Sequence, residues 1–200
     1  IVRFEPHSFV LIMKRRGVKE EVYRKVPWYD ASNATMRANW KKLGYKHPRI
    51  APCEGNWNQE YLINMKAAID WCNKNGVSDD YVYQATSFGS VQVMGQSFRT
   101  LGYTSGKATF QAFAASEKAQ LIGLFNFLKG KGKGALLTAC RQKDWAKIGK
   151  LYNGRECYGT GGDQCPKPKG MLYWYNHYKA NPPAEREMIT PGGADAAALL

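Results

Sequence analysis

The chain has 200 residues, 44% apolar and 13% aromatic, enough for one ordinary domain with a real core plus irregular ends. Lysine and arginine outnumber aspartate and glutamate 29 to 16, a formal net charge of +13, so the surface field concentrates anionic partners. No run of about 18 apolar residues is present, which excludes a transmembrane helix, and the opening residues, with Arg3, Glu5 and His7, do not have the pattern of a secretory signal.

Residues 1–13 are rich in β-branched and aromatic side chains and run into Lys14-Arg15-Arg16-Gly17, which predicts a strand followed by a turn. Residues 23–58 are dense in Pro, Gly, Asn and aromatics and read as a long loop with a short helix near 34–43; loops of that length are usually functional. Trp28, Tyr29 and Trp57 within it suit either stacking on sugar faces or stapling the loop to the domain. Apolar residues at Leu62, Ile63, Met65, Ala68, Ile69 and Cys72 predict a helix over 59–75, with Asn58 as N-cap and Gly76 as stop. Ser78 is expected to cap a short helix over 79–85, whose dipole favours Asp79 and Asp80 in its first turn.

Helices are further predicted over 108–115, 116–128, 135–141, 144–151 and 171–179. In the second of these the expected core face is Leu121, Ile122, Leu124, Phe125 and Leu128. The repeat Lys129-Gly130-Lys131-Gly132-Lys133-Gly134 reads as an exposed basic connection. Residues 181–200, with Pro182-Pro183 and Pro191-Gly192-Gly193, read as a linker or peripheral tail, leaving 1–180 as the domain.

Cys53, Cys72, Cys140, Cys157 and Cys165 include no CxxC pair and only three histidines accompany them, so neither a zinc site nor any other cofactor is expected. Cys157 and Cys165 bracket a glycine-rich stretch and fit either a small disulfide loop outside the cytoplasm or two free thiols. His7 has no Asp, Ser or Cys partner at a recognisable spacing, which leaves a nucleophilic triad without support.

Four patches carry the candidate chemistry: Arg3-Phe4-Glu5-Pro6-His7-Ser8-Phe9, then Ser87 to Gly95, then Ser116-Glu117-Lys118-Ala119-Gln120-Leu121, then Asp144-Trp145-Ala146 leading to Tyr152-Asn153-Gly154. In this order they resemble the N-acetylmuramidase domain of modular phage endolysins. In that family a phenylalanine-glutamate-x-histidine-x-phenylalanine strand precedes a serine-aromatic-glycine-x-x-glutamine-x-methionine-glycine segment. The resemblance covers most of residues 1–180. The second and fourth patches are also similar to the lysozyme-like pattern of soluble lytic transglycosylases and goose-type lysozymes.

This resemblance implies a mainly α (α+β), lysozyme-like helical domain with a small N-terminal β element. The implied activity is hydrolysis of the peptidoglycan bond between N-acetylmuramic acid and N-acetylglucosamine. Lytic transglycosylation, or a non-catalytic peptidoglycan-binding or virion structural module, are the alternatives. The implied partners are bacterial peptidoglycan and anionic envelope polymers. A specific nucleic-acid partner is not expected, because the basic residues are spread through loops with no recognition motif. The setting implied is synthesis in a host cytoplasm and action in the periplasm or cell wall, or carriage in the virion.

Such cleavage needs a carboxylic acid, held protonated by a partly apolar site, to protonate the leaving oxygen. In the resembled family that acid ends a helix ahead of the phenylalanine-glutamate strand, so it is expected upstream of Ile1 and the N-terminus reads as truncated. Glu5, between Phe4 and Pro6, is the candidate catalytic carboxylate within the chain. It suits a second carboxylate that polarises a water or stabilises oxocarbenium charge, or a structural partner of Arg3 or His7. Glu117, opening a helix, reads rather as a cap or dipole residue.

His7, Ser87, Gln92, Met94, Tyr152 and Asn153 are the candidate substrate-binding residues. The glycines of 87–95 let backbone approach a flat sugar ring, and Ser87 and Gln92 can bond its acetamido and hydroxyl groups. For Val91, Val93 and Met94 the core reading is favoured, and Gly154 is explained by a helix C-terminus alone.

Overall fold

The structure, a computed structural model, describes residues 2–43, 57–89, 92–165 and 169–181, the side chains of 41 and 57–61 excepted. The chain forms two compact units, the first reaching Leu124 and the second beginning at Phe125. Strand β1 (Val2–Phe4) opens the first and pairs antiparallel with β2 (Thr86–Phe88), which pairs in turn with β3 (Val93–Met94). The register sets Phe4 opposite Thr86 and Arg3 opposite Ser87, and sets Ser87 opposite Met94 and Phe88 opposite Val93. Side chains on a strand alternate between faces, so Phe4, Thr86, Phe88 and Val93 share the buried face while Arg3, Ser87 and Met94 share the other.

The strand expected to run to residue 13 stops at Phe4, and helix α1 (Pro6–Arg15) takes over. Pro6 sits in the first helical turn, where its missing N–H and fixed φ suit a helix start. Pro6, Phe9, Val10 and Met13 then recur at helical spacing, and all four are buried. The period outweighs the β-branched composition.

Helix α2 (Glu20–Tyr23) runs into the stretch expected as a long loop, and α3 (Asn33–Lys42) is the short helix expected within that stretch. Trp28 staples it: the ring is 2% exposed, and its Nε1–H donates to the Pro6 carbonyl at 3.2 Å. Phe4, Phe9, Trp28 and Trp40 pack as one aromatic cluster, with Trp28 edge-on to Trp40 at 4.3 Å and Phe4 to Trp40 at 5.4 Å. Helix α4 (Trp57–Lys74) adds Trp71 edge-on to Phe9 at 5.9 Å. Leu62, Met65, Ala68 and Cys72 of α4 are buried as expected, whereas Ile63 is exposed. The side chain of Trp57, Cys53, Val91 and the tail 182–200 lie outside the described residues.

Asp79, not Ser78, occupies the N-cap of α5 (Asp80–Gln84), and no side chain caps that helix. The aspartates are engaged by α7 (Gly106–Ala115) instead: Lys107 N–H donates to Asp80 at 2.7 Å and Lys107 Nζ to Asp79 at 2.8 Å. The second oxygen of Asp80 takes the amide of buried Gln84, whose carbonyl accepts from Arg16 on α1. Past β3, a short 3-10 turn over Gly95–Ser97 leads to α6 (Phe98–Leu101). Gly95 is obligatory, since a Cβ there would overlap the Tyr83 carbonyl oxygen.

Helix α8 (Glu117–Gly130) carries the boundary between the units. Its packed positions are Gly123 and Phe127, and Leu121, Ile122 and Phe125 are about half exposed, contrary to the expected face. Glycine explains the difference: at 123 it lets the helix approach the Phe113 ring more closely than any larger residue allows.

The second unit continues through α9 (Ala135–Gln142), α10 (Trp145–Asn153), α11 (Cys157–Thr160) and α12 (Met171–Ala180). Asp144 caps α10 by accepting from the Lys147 N–H, and Gly154 ends it in a left-handed conformation. Helices α10 and α11 meet through glycines at 149 and 159, where a Cβ would strike backbone. The sulfurs of Cys157 and Cys165 come to 2.6 Å.

Gly95→Ala should destabilise the protein by about 1–3 kcal/mol, because backbone must move to admit the methyl group. A fall in the urea midpoint at unchanged slope is the expected readout.

Candidate active site

Glu5 follows β1 and occupies the N-cap position of α1 in an extended conformation (φ −113°, ψ 95°), yet its side chain makes no cap hydrogen bond. Its backbone N–H donates to the Ala85 carbonyl at 2.9 Å, which carries the β1–β2 pairing one residue further. Strand alternation therefore turns Glu5 to the same face as Arg3, away from Phe4. The carboxylate and the arginine meet there, with Arg3 Nε 2.8 Å from Glu5 Oε1. That nitrogen is buried and has no aligned hydrogen-bond acceptor among the described residues, so charge rather than a directed bond holds the pair.

His7, in the first turn of α1, sits 3.7 Å through Nδ1 from Glu5 Oε2. Arg37 of α3 reaches the same imidazole from the other side, its Nε 3.2 Å from Nδ1 and its Nη2 2.9 Å from Nε2. A guanidinium only donates, so the ring nitrogen that accepts from it carries no proton. The Glu5–His7 approach is thus a contact between a carboxylate and a neutral ring, and the charge opposing Glu5 comes from the two arginines. Burial pushes the Glu5 carboxyl above the ordinary carboxylate range, and Arg3 and then Arg37 pull it partly back.

These groups line a cavity of about 490 Å³ formed by Arg3, Glu5, His7, Ser8, Arg37, Met94 and Gln96. Four come from the β1–α1 corner, one from α3, and two from the end of β3 and the turn that follows. Ser87 stands between Arg3 and Met94 in the same cross-strand row. Its hydroxyl donates to Gln92 Oε1 at 3.2 Å, and Gln92 Nε2 donates to the Gly89 carbonyl at 2.8 Å. Gln92 adopts φ +50°, a left-handed conformation unusual for a residue with a side chain, so the hairpin end is held in a strained form.

Of the residues singled out from the sequence, Glu5, His7 and Met94 therefore share one cavity, with Ser87 on the adjoining sheet and Gln92 bonded to it from the turn before β3. Met94 is half-buried and lines that cavity, whereas Val93 is core. Tyr152 and Asn153 belong to the second unit, where the Tyr152 ring meets Phe127 edge-on at 5.6 Å. Arg37 and Gln96 were not singled out. The signal for Arg37 was the spacing of Met36 and Trp40, both buried, which makes a helix whose next position faces the site.

The raised Glu5 pKa has a consequence for stability. Between its unfolded and folded values the native state holds the proton more tightly, so stability falls as pH rises through that window. Glu5→Gln should abolish this component, so the difference in melting temperature between variant and parent should move in the variant's favour from pH 4 to pH 7, conditions of roughly that span bracketing a carboxyl titration. A difference that does not change with pH would contradict the burial-driven shift.

No curated protein matches the chain. Among solved structures the fold is similar to the crystal structure of the Burkholderia AP3 phage endolysin, with a TM-score of 0.56 and 21% identity over 90% of this chain. The chain spans 56% of the length of that endolysin. Both the helical bulk and the small three-stranded sheet agree with the mainly α, lysozyme-like architecture expected from the sequence. The N-acetylmuramidase family matches residues 1–161, which carry the Glu5 cavity, Ser87 and Gln92, and Tyr152 and Asn153. By that match the chain belongs to the N-acetylmuramidase family.

Proposed function

We propose that the chain is the cleaving part of a peptidoglycan hydrolase that breaks the glycosidic bond between N-acetylmuramic acid and N-acetylglucosamine. The observation that carries this reading is Glu5, a largely buried carboxylate with raised basicity, facing an open polar cavity on the fold of an N-acetylmuramidase.

A carboxylate of ordinary pKa is a weak base, and burial makes Glu5 a better acceptor for a proton from water. In the proposed reaction the bond from the muramic acid C1 to the bridging oxygen breaks. Positive charge spreads over C1 and the ring oxygen, and a water that passes its proton to Glu5 adds to C1. The bridging oxygen leaves protonated by a separate acid, which the family supplies on a helix preceding the phenylalanine-glutamate strand. Ionised Glu5 also stabilises the developing oxocarbenium charge, which Arg3 and Arg37 permit by favouring its charged form.

Ser87 and Gln92 bond the acetamido and hydroxyl groups of the sugar, His7 presents its ring edge, and Met94 gives an apolar contact. Tyr152 and Asn153 are assigned to the glycan by the family resemblance. The formal charge of +13 suits an envelope rich in anionic polymers. Among the described residues no helix is long and apolar enough to cross a membrane. The place of action is the cell wall or periplasm, reached from a host cytoplasm or from the virion.

Turbidity loss of purified cell walls treated with a protein that carries both Glu5 and that separate acid, followed by mass analysis of the fragments, tests the activity. Hydrated reducing muramic acid ends are expected, whereas 1,6-anhydro ends would reassign the protein as a transglycosylase and intact glycan would refute cleavage. Glu5→Gln should lower the rate by about a hundredfold or more while leaving binding to sacculi in place.

A further inference from the structure

The Glu5 cavity holds one carboxylate against two guanidinium groups, and His7, whose ring nitrogen accepts from Arg37, adds no charge. The lining therefore carries a net charge of about +1, where hydrolysis of a neutral sugar linkage calls for no excess cation. Arg37 donates its Nε–H to His7 Nδ1 at 3.2 Å, the one acceptor of a neutral ring, and that anchor positions the guanidinium with its terminal Nη groups left to meet a ligand. Arg3 has its Nε buried beside Glu5 without an aligned acceptor among the described residues. Ser8 and Gln96 add neutral hydrogen-bonding groups, and Met94 an apolar wall. The volume of about 490 Å³ suits a sugar with its substituent rather than a lone ion.

We infer that this cavity selects a carboxylate: it takes the acid-bearing peptide substituent of a muramic acid unit, with Arg37 as the residue that recognises the anion. The inference rests on the muramidase reading and adds to it the charge state of the preferred substrate. One monoanion brings the lining to neutrality. A phosphate diester polymer would do so in charge but offers a tetrahedral centre, whereas a planar carboxylate matches the fork of a guanidinium held flat by its histidine. Glu5 stays ionised in the loaded cavity because Arg3 remains its partner.

The test is a binding titration of the chain with a soluble disaccharide, N-acetylglucosaminyl-N-acetylmuramyl dipeptide, as the free acid and as its carboxamide, with inorganic phosphate as competitor. The free acid should bind about tenfold more tightly or better, as a charge-assisted hydrogen-bonded pair implies. Arg37→Ala should erase the preference by weakening the acid alone, while Arg37→Lys should keep part of it, with charge but no fork. Comparable melting temperatures of the two variants separate loss of recognition from loss of folding, since a misfolded chain would lose the carboxamide too.

Equal affinity of the wild-type chain for acid and carboxamide overturns the inference, and so does an Arg37→Ala variant that keeps the preference. Phosphate competing as well as the free acid overturns it in favour of a phosphate-bearing polymer. Failure to bind either disaccharide also overturns it. Cleavage of cell walls, measured in parallel, decides the muramidase reading separately.

Discussion

Everything at the candidate site depends on the burial of Phe4. The ring packs against Phe9, Trp28 and Trp40, and a strand cannot bury one residue without turning its neighbours the other way. Arg3 and Glu5 are thereby presented together on the face that also carries Ser87 and Met94. Pro6 then starts α1 and fixes the direction in which Glu5 leaves the sheet. The site is thus built at a junction, with strand geometry aligning the charged pair and the first helical turn adding His7 and Ser8.

Such a junction reconciles two demands on Glu5. Partial burial makes it a stronger base than a solvated carboxylate, but the same burial disfavours its charged form. Arg3 and Arg37 offset that effect from opposite sides, one from the same strand and one from α3. The pairing with Arg3 that a purely structural role would require is therefore present, and the proposed chemical role draws on it as well. Arg37 in turn depends on the aromatic cluster: Trp40, one turn further along α3, is buried against Trp28 and sets the rotation of that helix.

Much of this was legible in the sequence where side chains repeat with a helical period. The helix over Trp57–Lys74 and α9, α10 and α12 of the second unit were expected from the sequence, and the ends of α10 follow from Asp144 and Gly154, whereas α11 was not foreseen. Residues 6–13 misled because Phe9, Val10 and Ile12 favour strands individually, and only their spacing from Pro6 reveals the helix. Ser78 was a plausible cap in isolation, but the aspartates beside it are drawn to Lys107, a residue 27 to 28 positions away that local patterns do not bring near. The face of α8 was set by Gly123 and its contact with Phe113, where the absence of a side chain decided the packing. For the same reason Glu5 and His7 were visible as a motif whereas Arg37 was not: its role arises from tertiary contact between α1 and α3.

Gly95 sits between the two residues that β3 and its turn contribute to the cavity, Met94 and Gln96, at a point where a Cβ would overlap the Tyr83 carbonyl oxygen. That position is closed to every side chain, so on this side the cavity is reshaped through the two flanking residues. Shape is thereby uncoupled from charge: exchanging residues 94 and 96 alters the wall of the cavity without touching the charged groups around Glu5.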